Sequence, residues 1–93
     1  MVSATTEIST PKASYYLQMV CKHFSHKLPV EFTPERGRIS FPAALCSLEA
    51  NGDVLKATVE AEDAESVTRF EGVFVRHLQR FAHSEDLAEP VWR

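Results

Sequence analysis

CSLEANGDVLKATVE, Cys46 to Glu60, is the stretch whose reading decides the fold. Its apolar residues fall on alternate positions on both sides of Asn51-Gly52, the period of a half-buried strand. Asn-Gly is the strongest short hairpin signal, because a tight primed turn needs positive φ and these two residues tolerate it. A two-residue loop at Asn51-Gly52 sets Leu48 opposite Leu55 and Cys46 opposite Ala57 on one face, with Lys56, Thr58 and Glu60 pointing the other way. The core of the chain is therefore expected to be antiparallel sheet.

The same period continues toward the N-terminus. Val30 and Phe32 flank Glu31, and Ile39 and Phe41 flank Ser40, with Pro34-Glu35-Arg36-Gly37 between them as a turn. A four-residue loop there places Phe32 opposite Ile39 and Val30 opposite Phe41. Buried parity switches from odd positions at Phe41 to even ones at Cys46, which predicts a bulge or corner near Pro42-Ala43-Ala44. Val2 to Ile8 is threonine-rich and reads as an edge strand.

Outside these strands the period lengthens to that of a helix. Thr10-Pro11 places a capping hydroxyl before a proline at a first helical position, and Leu28-Pro29 supplies a stop, so a first helix is expected from Pro11 to Lys27. Leu17, Val20, Cys21 and Phe24 form its apolar stripe. Asp63 caps a second helix, with Glu65 in its first turn and Val67, Phe70, Phe74, Leu78 and Phe81 on its buried face. The sequence predicts one α+β domain over residues 1–93. It has two layers, an antiparallel sheet of about five strands with two helices on one face, in the order β-α-β-β-β-β-α. That order resembles the TATA-box-binding-protein-like superfamily, a likeness of fold that carries no function.

Composition bounds the function. A chain of 93 residues builds one modest core and buries about 60–65% of its unfolded surface. No run approaches the ~20 apolar residues of a membrane span, and Met1 to Thr10 lacks the apolar centre of a signal peptide, so a cytoplasmic protein without membrane contact is expected. Ten Lys and Arg are interspersed with thirteen Asp and Glu for a net charge of −3, which leaves no basic stripe for nucleic acid. Cys21 and Cys46, with no Cys-x-x-Cys spacing, read as reduced packing residues.

One cluster stands apart. CKHFSHK, Cys21 to Lys27, holds His23 and His26 three apart near the end of the first helix, where His and Lys also complement the helix dipole. His77 lies inside the apolar arc of the second helix, so its imidazole must hydrogen-bond or coordinate something: a backbone carbonyl, the hydroxyl of Tyr15 or Tyr16, or a ligand. If the helices lie side by side, the flank with Tyr16, His23 and Lys27 faces the flank with His77 and Arg80, forming a pocket for a small anionic or polar ligand. Glu31 and Glu71 are candidate acidic partners, and His83 reads as a surface residue. No phosphate loop, nucleophile elbow or His-Glu-x-x-His is present.

The two histidine segments, CKHFSHK and EGVFVRHLQRFAHSE at Glu71 to Glu85, resemble the signatures of a family of short bacterial proteins known as domain of unknown function 2218. The likeness extends to the turn at Arg36-Gly37 and to Trp92. It singles out His23, His26 and Lys27 in the first signature and His77, Leu78, Arg80, Phe81 and Glu85 in the second, while Gln79 and His83-Ser84 depart from the family pattern. Members occurring beside or fused to siderophore-interacting flavin reductases imply iron handling and a flavin reductase partner. An aldolase label carried by some relatives belongs to barrels of about 250 residues, which this chain cannot hold.

The sequence thus supports a non-catalytic ligand- or metal-binding accessory protein, in iron or siderophore metabolism by resemblance, with His23, His26, Lys27, His77 and Arg80 as its site. No cofactor is identifiable, and a metal would have His23 and His77 as its ligands. The alternatives are a homodimerising interaction domain with structural histidines and a small enzyme using His77 as acid or base.

Overall fold

The computed structural model describes residues 1–82 and 91–93. Strands β1 (Val2–Ser9), β2 (Val30–Phe32), β3 (Arg36–Phe41), β4 (Ala44–Asn51) and β5 (Val54–Ala61) form one antiparallel sheet in the order β1-β5-β4-β3-β2, and helices α1 (Ala13–Ser25) and α2 (Ala64–Phe81) cover one face. This is the expected α+β architecture and element order. α1 lies over β2, β3 and β4, and α2 over β5 and β1, so the helices sit side by side. No helix among the described residues is long and apolar enough to cross a membrane.

Both hairpins pair two residues away from the expected register. Leu48 lies opposite Ala57 and Cys46 opposite Val59, because the β4–β5 loop is Gly52-Asp53 and Asn51 pairs with Val54. Gly52 has a φ of +59°, and among the described residues no non-glycine residue has positive φ. A turn with positive φ only at its first central residue has the pattern of type II′, which asks nothing unusual of Asn51. Val30 likewise lies opposite Ile39, and Phe32 opposite Gly37. Thr33 closes this loop: its N–H donates to the Arg36 carbonyl at 2.7 Å, and its hydroxyl accepts from the amides of Glu35 and Arg36. Pro34-Glu35 is then the turn, and Arg36 and Gly37 belong to β3.

A slip of two residues leaves every side chain on its predicted face. Ile39, Cys46, Leu48, Leu55, Ala57 and Val59 are buried beneath the helices. The parity switch near Pro42 comes from a two-residue turn rather than a bulge, since Phe41 pairs with Ala44 and an odd residue faces an even one along the hairpin.

Helix α1 starts two residues later than expected. The Thr10 N–H is committed to the Asp53 carbonyl at 2.7 Å and its hydroxyl accepts from the Lys12 N–H, so Thr10 prolongs the strand side and Pro11-Lys12 turn into the helix. At α2 the expected cap holds: the Asp63 carboxylate accepts from the Ser66 N–H at 2.7 Å, and that bond holds its pKa below the usual carboxylate range.

One backbone position fixes where α1 rests. Gly37 is buried on β3, and a Cβ built there would lie 2.5 Å from Cys21 Sγ and 3.4 Å from Leu17 Cδ2. The helix is seated against bare backbone. Burial in turn raises the Cys21 and Cys46 thiols to about 12, so both are protonated packing groups.

Gly37→Ala is expected to cost about 1–3 kcal/mol in urea unfolding by overpacking, and Cys21→Ala in the same chain should return part of that loss by vacating the clash. Asp63→Asn should keep the cap but remove its pH dependence. A depressed carboxylate stabilises the fold fully above its ordinary value of 3.8 and loses that contribution as pH falls through the folded value, so wild type and variant should differ in the pH dependence of unfolding only in that acidic window.

Candidate functional site

The facing flanks of α1 and α2 bring His23 and His77 together, with ring centroids 5.0 Å apart and planes inclined by 47°. Phe24 of α1 lies 4.6 Å from His77, and Phe81 of α2 lies 5.9 Å from His23. On the other side Phe24 meets Phe41 at 5.2 Å, and Phe41 meets Phe70 at 4.7 Å. Six rings therefore run as a continuous seam, Phe70, Phe41, Phe24, His77, His23, Phe81, with edge-on contacts at Phe41–Phe24 and His23–Phe81 and tilted ones at the other three. Sequence reasoning placed Phe24, Phe70 and Phe81 on apolar stripes but did not see that their rings frame the histidines. The signal available was the two stripes, one with His23 at its flank and the other with His77 inside it.

His77 is half-buried, and its Nδ1 lies 2.7 Å from the Val73 carbonyl oxygen, one helical turn back. A carbonyl only accepts, so Nδ1 carries a proton, and in the ring's neutral form the lone pair is at Nε2. The backbone-carbonyl partner expected for this histidine is thus the one it has. Nε2 remains the atom with which His77 can accept a proton or a ligand.

His23 is exposed, next to Phe81 near one end of the seam. Its pKa is lowered, first by partial desolvation and then by the positive charges of His77, Arg80, His26 and Lys27. These groups reach it from both helices and from the turn after α1. Helix α1 ends at Ser25, where the Phe24 carbonyl accepts from the N–H groups of both Lys27 and Leu28 at 3.0 and 2.9 Å. His26 and Lys27 consequently stand on an exposed turn, outside the helix that was expected to carry them. Arg80 is exposed in the last turn of α2.

Three expectations need correction. Tyr16 is 1% exposed and belongs to the core, so it is no part of an open flank. Glu31 lies on the opposite, open face of the sheet, where it lines a cavity of about 580 Å³ with Arg36, Arg38, Glu49 and Lys56. The anticipated pocket between the helices is an exposed flank: neither that cavity nor a second of about 510 Å³ beside the Pro42-Ala43 turn includes any of the five candidate residues. Glu71 is half-buried on α2, with its carboxyl pushed upward by burial. Gln79 is exposed, and His83 and Glu85 lie outside the described residues.

Among the described residues no group of three His, Cys, Asp or Glu side chains gathers for a metal ion. His23 and His77 supply two ligands where a protein-held zinc takes three or four. What the flank offers is three imidazoles, one ammonium and one guanidinium, beside apolar ring edges.

These features define a small α+β protein with a cationic, histidine-bearing flank. The chain belongs to the family described as uncharacterized protein conserved in bacteria, DUF2218, which matches residues 5–93. Among solved structures it is similar to PA4090 from Pseudomonas aeruginosa, determined by NMR. The TM-score is 0.84 and the identity 39%, over 100% of this chain and 96% of that one. No curated protein matches.

The electrostatics predict a pH signature. A histidine whose folded pKa lies below its ordinary 6.5 binds its proton more weakly folded than unfolded, so it weakens the fold as pH drops through 6.5, and the loss levels off below the folded value. Imidazole NMR titration should place His23 below 6.5, and Arg80→Gln or His77→Gln should move it upward.

Proposed function

We propose that this protein is a non-catalytic binding module whose His23, His26, Lys27, His77 and Arg80 take a small anion, either free or as the anionic shell of a metal chelate. The observation that supports this is electrostatic: among the described residues every charged group acting on His23 is cationic, and an anion among them relieves their mutual repulsion. The incomplete metal set fits the same reading, since a metal arriving inside its own chelator needs no third protein ligand. On the family resemblance alone, the role proposed for such a chelate is iron or siderophore handling, with a flavin reductase as the proposed partner. Two buried free thiols accord with a reducing, cytoplasmic setting.

A second reading rests on the His77 Nδ1 bond to Val73, which orients Nε2 as a base and suits an acid–base enzyme. Turnover with a bell-shaped pH profile lost in His77→Gln would favour it, whereas stoichiometric binding without turnover favours the module.

Thermal shift of untagged protein tests the proposal with inorganic phosphate, citrate, ferric citrate and a ferric siderophore as probes. A probe at ten times its Kd adds about 1.4 kcal/mol and should raise Tm by about 5–10 °C in a domain of this size. The shift should vanish in His23→Ala and Arg80→Ala. A shift with citrate and ferric citrate alike would assign a free anion, and one with the ferric chelates alone a metal complex. No shift with any probe would contradict the proposal.

A further inference from the structure

Strand β1 is an edge of the sheet, and its outer side is occupied at Thr5 by Arg93. The Thr5 N–H donates to the Arg93 carbonyl at 3.0 Å, and the Arg93 N–H donates to the Thr5 carbonyl at 2.9 Å. Exchange of both bonds between two residues marks an antiparallel pair, so residues 91–93 lie along β1 as a short strap. On the inner side Thr5 stands opposite Thr58, their hydroxyls 3.1 Å apart. Trp92, one residue before Arg93, packs edge-on to Phe74 of α2 at 6.2 Å. Phe74 is 1% exposed beneath it, whereas Val91 is 72% exposed. Among the described residues the strap is pinned by the backbone pair at Thr5 and by the Trp92 ring packed on the core.

The edge under this strap is complementary to itself. Turned about a two-fold axis at Thr5, β1 of one copy meets β1 of another with Thr5 on Thr5, Ser3 on Glu7, Ala4 on Thr6 and Val2 on Ile8. The single charged residue of the strand, Glu7, then faces serine rather than another acid, and the threonines meet as a cross-strand pair. Val2, 38% exposed in the single chain, meets Ile8 on the side of the sheet that carries the helices. Residues that serve as a self-pairing edge must offer outward N–H and C=O groups at the axis, and those of Thr5 are the pair that Arg93 holds.

We infer that the outer edge of β1 is a homodimerisation edge which residues 91–93 keep closed within the same chain. Arg93 and a second β1 compete for the same donor and acceptor on Thr5, so one pairing excludes the other. With the strap seated the chain is a monomer. With the strap released, two copies join through β1 into one ten-stranded sheet with all four helices on one face. This interface uses none of the five residues of the anion site.

Light scattering on size-exclusion peaks, over a wide range of loading concentrations, tests the inference in the full-length chain. Trp92→Ala removes the ring anchor, and Arg93→Pro removes the N–H that bonds Thr5. Wild type should elute as a monomer, and the double variant should move to twice the mass as concentration rises. Thr5→Pro added to it should restore the monomer, because the outward N–H is the one proline lacks and an edge strand tolerates its loss. A folded double variant that stays monomeric at every concentration overturns the inference. So does a dimer that survives Thr5→Pro, or a wild-type protein that is already dimeric. If the double variant does not fold, Trp92→Ala alone carries the test, with a partial, concentration-dependent dimer expected and an unchanged monomer overturning it.

Discussion

The seating of α1 on bare backbone at Gly37 is the constraint on which the rest of the structure depends. With Cys21 Sγ occupying the space a side chain would fill and Leu17 beside it, the helix has a fixed height and lateral position over β3. From there its stripe runs through Val20 and Phe24 toward α2, which lies over β5 and β1. The gap between the helices is filled by rings, and the histidines at the end of that row meet because the helices are held at ring-width spacing. A larger residue at position 37 would lift α1, and Phe24 could not then reach both Phe41 and His77.

Much of this was legible in the sequence, because period-two and helical patterning are set by which face is buried. The faces of β3, β4 and β5 and the cap at Asp63 followed from it. Register did not, and the reason lies in turn chemistry. Asn51-Gly52 and Gly52-Asp53 are both acceptable two-residue turns, the first needing positive φ twice and the second once, and burial does not distinguish them since a two-residue shift preserves every face. At Pro34 the Thr33 hydroxyl, bonding two following amides, made a turn tighter than composition alone suggested. The seat at Gly37 was invisible for a related reason: a glycine reads as a turn residue until the strand register shows what packs above it.

The site was legible in part. His23 flanks the apolar stripe of α1 and His77 lies inside the apolar arc of α2, and such faces of neighbouring helices meet, so their proximity follows from the same patterning that gives the fold. The ring seam depends on Phe41, which comes from a strand, and no periodicity within either helix points to it. His26 and Lys27 were misplaced because the Phe24 carbonyl collects two amides and ends α1 early. Their charges still act on His23, since electrostatic reach across an exposed turn is less sensitive to backbone conformation than contact is.

The central claim, that this flank binds an anion, is tested most directly by following the His23 and His77 imidazole resonances through a pH titration with and without saturating inorganic phosphate. The account predicts that phosphate raises the His23 pKa from below 6.5 toward or above that value, and that Arg80→Gln removes the effect. Identical titration curves in the presence and absence of phosphate would contradict it.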